Sequence, residues 1–337
     1  MKVWVVRQGQ NGEFESDALE TGWLSVGWLE TSDLSSVETR EILLEKMLET
    51  SPDEKRRRVA NHASQLWAFI SGIAIGDWVL MPSKRTNGIH FGKCVSTYTF
   101  KPEMRGGPHC RQVEWFRNDV PRTSFPQDLL YSLGAFLTVF EVKRNDAANR
   151  IARIANSDIG VSSLEIQDSG TLLSEDLLDL SQLASDQIRT QIDRLFKGHD
   201  FTSLIREILE AQGFTVWQSP EGSDGGADLI ANDGPLGIGG RSICIEVKSG
   251  SDSIDRPTVD KLLGAMQKFN CDYALFVAWS GYKQRVEKDL AQSLSRLRLW
   301  GPNEILKQLF EHYPELSAET RTKLPLKQIW ILSDDDI

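Results

Sequence analysis

Two periodicities divide the chain. From Phe201 to Gln212, apolar residues recur at Phe201, Leu204, Ile205, Ile208 and Leu209, the spacing of a helix with one buried face. Gly213 then stops the helix. Short runs follow: a strand from Phe214 to Gln218, a Gly-rich turn, a strand from Ala227 to Ala231, a loop through Gly234-Pro235 and a strand from Ser242 to Lys248. Helical spacing returns from Thr258 to Phe269, a buried strand is read from Tyr273 to Trp279, a helix from Gln284 to Ser295 and a short strand from Leu297 to Trp300. This αβββαβαβ order predicts an α/β domain, a central mixed sheet flanked by helices.

The first 143 residues read differently. Strand patterns at Lys2 to Arg7, Trp23 to Leu29, Ile75 to Met81, His90 to Phe100, Arg111 to Phe116 and Leu137 to Val142 are interrupted by helical patterns at Glu38 to Leu48 and Ala63 to Ile70. They predict a small α+β domain built on a mixed sheet or barrel. From Lys143 to about Gly170 periodicity fades, and between Leu172 and Phe196 two helices with a break near Ser185 are expected. The domain reading is therefore 1–143, a connecting stretch 144–190, and 191–337 with a C-terminal extension.

Composition narrows the class. A chain of 337 residues with 40% hydrophobic and 26% charged residues can bury two cores. The apolar run at the N-terminus is too short for a signal peptide and no stretch reaches membrane-spanning length, so a cytoplasmic location with no membrane partner is expected. Cys94, Cys110, Cys244 and Cys271 lack zinc spacing and read as reduced structural thiols. A formal charge of −10 argues against coating nucleic acid non-specifically, although acidic residues cluster at 174–179 and 334–336, leaving room for a local basic cleft.

The chemistry lies in Asp228 and Glu246-Val247-Lys248. Along a strand, Glu246 and Lys248 share one face while Ile245 and Val247 take the other, and that face can meet Asp228 across the neighbouring strand. Two carboxylates brought together repel unless a cation lies between them, and an oxygen donor set of this kind suits Mg²⁺, or Mn²⁺ in its place. Asp228 and Glu246 are thus the expected metal ligands, with Lys248 beside them to hold an attacking water or stabilise developing charge. A charged pair in a strand flanked by Ile243, Cys244, Ile245 and Val247 is costly without a function. The five histidines form no cluster, and no Ser/His/Asp set or P-loop is evident.

These residues resemble a known family. Gly198-His199, Phe201, Gly213-Phe214, the run from Gly222 to Ala231 and Glu246-Val247-Lys248-Ser249 look like the nuclease domain of Mrr-type restriction endonucleases, members of the PD-(D/E)xK superfamily. The family usually has Gln two residues before the lysine and an acidic residue after the helix-opening Phe; here Glu246 and Thr202 stand in those places. The second carboxylate has in effect moved from helix to strand. Asp224 is a rival carboxylate that reads equally well as a turn residue, and Gln267 reads as an exposed helical glutamine.

The resemblance implies a metal-dependent DNA endonuclease of the type IV restriction or phage-defence class, with base-modified or foreign DNA as partner and a homodimer or higher oligomer for double-strand cleavage. Trp23, Trp28, Gly76-Asp77-Trp78-Val79 and the 132–140 stretch carry a weaker similarity to PUA and EVE β-barrels, which implies a reader of modified bases lined by candidates Trp4, Trp23, Trp28 and Trp78. Lys84, Arg85, Lys93, Arg105 and Arg111 are the candidate phosphate contacts. Two alternatives stay open: a nucleic-acid-binding assembly protein with an inactive nuclease fold, and a nuclease directed at RNA or tRNA.

Overall fold

The computed structural model describes residues 1–29, 32–135, 137–143, 146–156, 180–220, 226–250, 253–283, 286 and 295–330. The chain divides into two units. The first comprises Met1–Ser83, Gly88–Asp186 and Trp330–Ile337; the second comprises Lys84–Asn87 and Gln187–Ile329.

The first unit is built on seven strands: β1 (Val3–Val6), β2 (Trp23–Val26), β3 (Trp78–Pro82), β4 (Gly88–Cys94), β5 (Thr99–Phe100), β6 (His109–Pro121) and β7 (Val139–Glu141). Their order is β2-β6-β4-β3-β1-β7, with β5 beside β6. The β1–β3 pair is parallel and the other pairs are antiparallel. Every residue of β1 is buried, as befits an inner strand covered on both faces. Trp4 and Val6 enter one core with Leu43, Leu66 and Phe69, while Val3 and Val5 enter a second with Leu129, Leu133 and Ile151. Helices α1 (Glu15–Thr21), α2 (Arg40–Thr50), α3 (Arg56–Trp67), α4 (Gln127–Leu133) and α5 (Ala147–Asn156) complete the unit. The expected mixed sheet is present. Among the described residues β2 and β7 end the order without pairing to each other, so the ladder does not close.

Three differences from the sequence reading have physical causes. The stretch from His90 to Phe100 is two strands, because after Val95 donates to the Gln112 carbonyl at 2.9 Å the backbone leaves the ladder until Thr99. Residues 147–156, expected in the connecting stretch, form α5, whose Ala147, Ile151 and Ala155 recur at helical spacing and are buried in the core that holds Val3 and Val5. No break occurs at Ser185, since α6 (Leu180–Leu195) runs through it. Asp186, the next residue, pairs with Arg122 at 3.0 Å, both being 5% exposed, which anchors the helix where its own sequence is weak.

The second unit has a five-stranded mixed sheet, as expected, in the order β12-β11-β10-β9-β8. β8 (Thr215–Gln218), β9 (Leu229–Asn232) and β10 (Ser242–Lys248) pair antiparallel; β11 (Tyr273–Ala278) and β12 (Leu297–Trp300) continue parallel to β10. One face packs on α6, α7 (His199–Ala211) and α9 (Pro302–His312), burying Phe201, Leu204, Ile208, Ile245, Val247 and Leu309. The other packs on α8 (Arg256–Lys268) through Cys244, Val259, Leu262, Ala265, Phe276 and Ala278. Gly213 closes α7 at φ 93, a left-handed conformation that glycine adopts without penalty. A last helix, α10 (Ala318–Lys323), follows. Most of the helix expected from Gln284 to Ser295, the turn holding Asp224 and most of the 144–190 stretch lie outside the described residues.

All four cysteines are buried free thiols. Among the described residues no helix is long and apolar enough to cross a membrane.

Candidate active site

β10 carries the site because its two faces have different tasks. Ile245 and Val247 are 0% and 7% exposed and lock the strand against the α7 side. Glu246 and Lys248 therefore emerge on the α8 side, in register with Phe276 and Ala278 of β11. Their side chains form an ion pair, Lys248 Nζ to Glu246 Oε1, with side-chain exposures of 41% and 19%.

Asp228 joins them from the residue before β9. Its backbone N–H donates to the Ile245 carbonyl at 2.9 Å, and its carbonyl accepts from Ser219 at 2.9 Å. One rung further on, its side chain replaces the backbone: Oδ2 accepts from the Val247 N–H at 2.7 Å. The carboxylate thus extends the β9–β10 ladder past the point where the strand turns away. Among the described residues its second oxygen, Oδ1, accepts no hydrogen bond. Sequence reasoning placed Asp228, Glu246 and Lys248 on one site, and the register brings them to one end of one strand pair.

The electrostatics follow from this crowding. Burial raises the Glu246 carboxyl above its ordinary range and the negative Asp228 adds to the effect, while the hydrogen bond from Lys248 and the charges of Lys248 and Lys261 act in the opposite direction. Two carboxylates in mutual repulsion, one with an oxygen left over, are a fitting donor set for a hard divalent cation that fills its remaining positions with water and phosphate oxygen. Among the described residues no group of three or more His, Cys, Asp or Glu forms a fuller metal cage.

The surroundings brace the site. Ser249, directly after Lys248, accepts from the Gly198 N–H at 2.9 Å and so ties the start of α7 to the end of β10. Thr202 is 8% exposed, with its hydroxyl 3.4 Å from the Gly198 carbonyl, so position 202 brings no carboxylate to the site. Glu207 accepts from Ser317 and Thr320, holding the start of α10. His199 lies 3.0 Å from Gln218 Nε2 and Gln267 is exposed on α8.

The basic candidates of the first 143 residues are dispersed. Lys93 is exposed on β4, and Arg105, 74% exposed, forms an ion pair with Asp17 at 3.1 Å. Lys84 and Arg85 lie in the turn after β3, half-buried, and group with the second unit. Arg111 points inward instead. It is 4% exposed and donates to the Phe69, Ile70 and Ser96 carbonyls, which removes it from any surface.

Of the four candidate tryptophans, Trp4 is core, donating from Nε1 to Asp77 at 3.1 Å, Trp28 stacks on His62 at 5.4 Å, and Trp78 packs against Phe91 and Phe116. Trp23, with Lys101 3.4 Å above its ring, lines an open cleft of about 250 Å³ together with Phe14, Asp17, Met104 and Arg105.

Comparison with known families bears on the second unit first. A family model described as a restriction endonuclease, Mrr_cat, matches residues 194–309, the span that contains α7, all five strands and the Asp228, Glu246 and Lys248 cluster. Residues 194–309 are therefore similar to a restriction endonuclease domain. Domains of this kind typically use a divalent metal ion. A second model, described as a domain of unknown function (DUF8426), matches residues 4–129 and attaches no activity to them.

Two solved structures show a looser likeness. The DNA modification-dependent restriction endonuclease AspBHI is 12% identical with a TM-score of 0.34, over 81% of this chain and 73% of that one. MspJI restriction endonuclease in complex with a 27-mer oligonucleotide is 10% identical with a TM-score of 0.32, over 81% and 70%. No curated protein matches the chain.

Proposed function

We propose that this chain is a Mg²⁺-dependent endonuclease that hydrolyses DNA phosphodiester bonds, serving type IV restriction or phage defence against modified or foreign DNA in the cytoplasm. The observation that carries the reading is the meeting of Asp228, Glu246 and Lys248 at one end of the β9–β10 pair, inside the restriction endonuclease match. Asp228 and Glu246 would hold the ion. When bound, such an ion would supply a lower pKa for a water and offset charge growing on the phosphate.

The chain's own residues supply the rest. Asp228 is aimed by the Val247 N–H, Glu246 by burial of its strand neighbours, and Lys248 carries an ammonium that can leave Glu246 to orient the water or meet the phosphate oxygens. Residues 1–143 are read as the PUA/EVE-like module that selects the substrate, with the Trp23 cleft as its aromatic recess, 144–190 as the connection and 191–337 as the cutting domain with its extension. One site cuts one strand, so double-strand cleavage calls for a homodimer or a higher oligomer.

Incubating the purified chain with unmodified and cytosine-modified duplexes, in Mg²⁺ or in EDTA, tests this directly. Cleavage is expected only with the metal and faster on the modified duplex. Absence of cutting on every duplex with Mg²⁺ or Mn²⁺ overturns the reading in favour of an assembly role, and cutting confined to RNA redirects it.

A further inference from the structure

The connection from β10 to β11 sets the position of a residue that the motif does not contain. β10 and β11 are parallel, and α8 joins them, so α8 runs back against both strands. Its first half therefore lies level with the C-terminal end of β10, where Glu246 and Lys248 stand. The apolar side of α8, Val259, Leu262, Ala265 and Met266, shares a core with Cys244, Phe276 and Ala278 on the same sheet face. The Asp228 turn also touches this helix: a Cβ on Gly226, two residues before Asp228, would lie 3.2 Å from Ala265 Cβ.

Lys261 precedes Ala265 by four residues, which places it about 40° round the helix and roughly 6 Å nearer the strand ends. It is exposed, and among the described residues it makes no ion pair. Lys248, by contrast, is already engaged by Glu246. Asp228 and Glu246 against Lys248 leave the cluster net negative, which repels a phosphodiester. A further ammonium on the adjoining helix turn cancels that excess.

We infer that Lys261 is a phosphate-binding residue of the site, holding a backbone phosphate of a nucleic-acid strand on the α8 side while Lys248 serves the reacting centre. The inference rests on the nuclease reading. The signature of such a contact is a counterion released on binding, which a residue that merely stabilises α8 does not produce.

Binding of the full chain to a fluorescent duplex, measured in EDTA between about 50 and 200 mM salt, tests it without cleavage. For Lys261→Ala, the slope of log affinity against log salt should be shallower than wild type by about 0.9, so that the variant loses about 3.5-fold less affinity over that range. Lys261→Arg should restore the slope. Lys268→Ala, at the far end of the helix, should keep it. A Lys261→Ala slope equal to wild type, in a variant with an unchanged melting temperature, overturns the inference even where wild type cuts DNA normally. A shallower slope in a chain that cuts nothing upholds the contact and rejects the nuclease reading. Failure of wild type to bind any duplex overturns both.

Discussion

Asp228→Asn should slow DNA cleavage by about a thousand-fold or more, a loss of about 4 kcal/mol of transition-state stabilisation. The substitution is chosen for what it keeps. The asparagine oxygen can still accept from the Val247 N–H, so the β9–β10 ladder persists and the fold should melt within about 1 °C of wild type, as surface-like isosteric changes do. It removes the negative charge that Glu246 alone cannot replace and substitutes a neutral amide for a carboxylate ligand. Single-turnover cleavage of a duplex at saturating Mg²⁺, with a melting curve on the same preparation, separates chemistry from stability. A rate within tenfold of wild type would sink the assignment of Asp228 to the metal.

The second large effect concerns a residue whose sequence context suggested a surface task. Arg111→Ala should destabilise the first unit by about 3 kcal/mol or more, because three carbonyls, those of Phe69, Ile70 and Ser96, lose their donor and two of these bonds are buried. For a unit of this size that is a drop of about 6–12 °C in melting temperature. Lys93→Ala, on an exposed strand position, should stay within about 0.5 kcal/mol of wild type. If Arg111→Ala melts like wild type and only weakens DNA binding, the inward role is wrong and the phosphate role returns. Thermal unfolding by circular dichroism decides between them.

The contrast between these residues shows what the sequence carries. Glu246 and Lys248 were legible because strand alternation fixes their face whatever the rest of the chain does, and buried neighbours on both sides mark the strand. Asp228 was legible because the glycine run before it announces a turn into a short strand. Arg111 was not: alternation puts it on one face of β6, but only the packing of Phe69 and Ile70 behind that face reveals that the face is closed. Lys261 was missed for the converse reason. An exposed lysine on an amphipathic helix looks ordinary until the β10–α8–β11 connection sets which strand end its turn adjoins. By contrast, α5 carries its signal in its own pattern, Ala147, Ile151 and Ala155 at helical spacing, which polar neighbours on either side obscure in the sequence and the core that receives Ile151 makes plain.

The bond between the Asp228 carboxylate and the Val247 amide has one further consequence. The same group that would ligate the metal also serves as the last fastener between two strands, so the cluster cannot loosen without fraying the end of the β9–β10 pair. A substitution at this position would meet two demands at once: a residue that cannot accept from an amide loses the seam, and one that keeps the seam without the charge would give up the cation. Aspartate, short enough to reach one rung and charged enough to hold a cation, meets both demands in a single side chain.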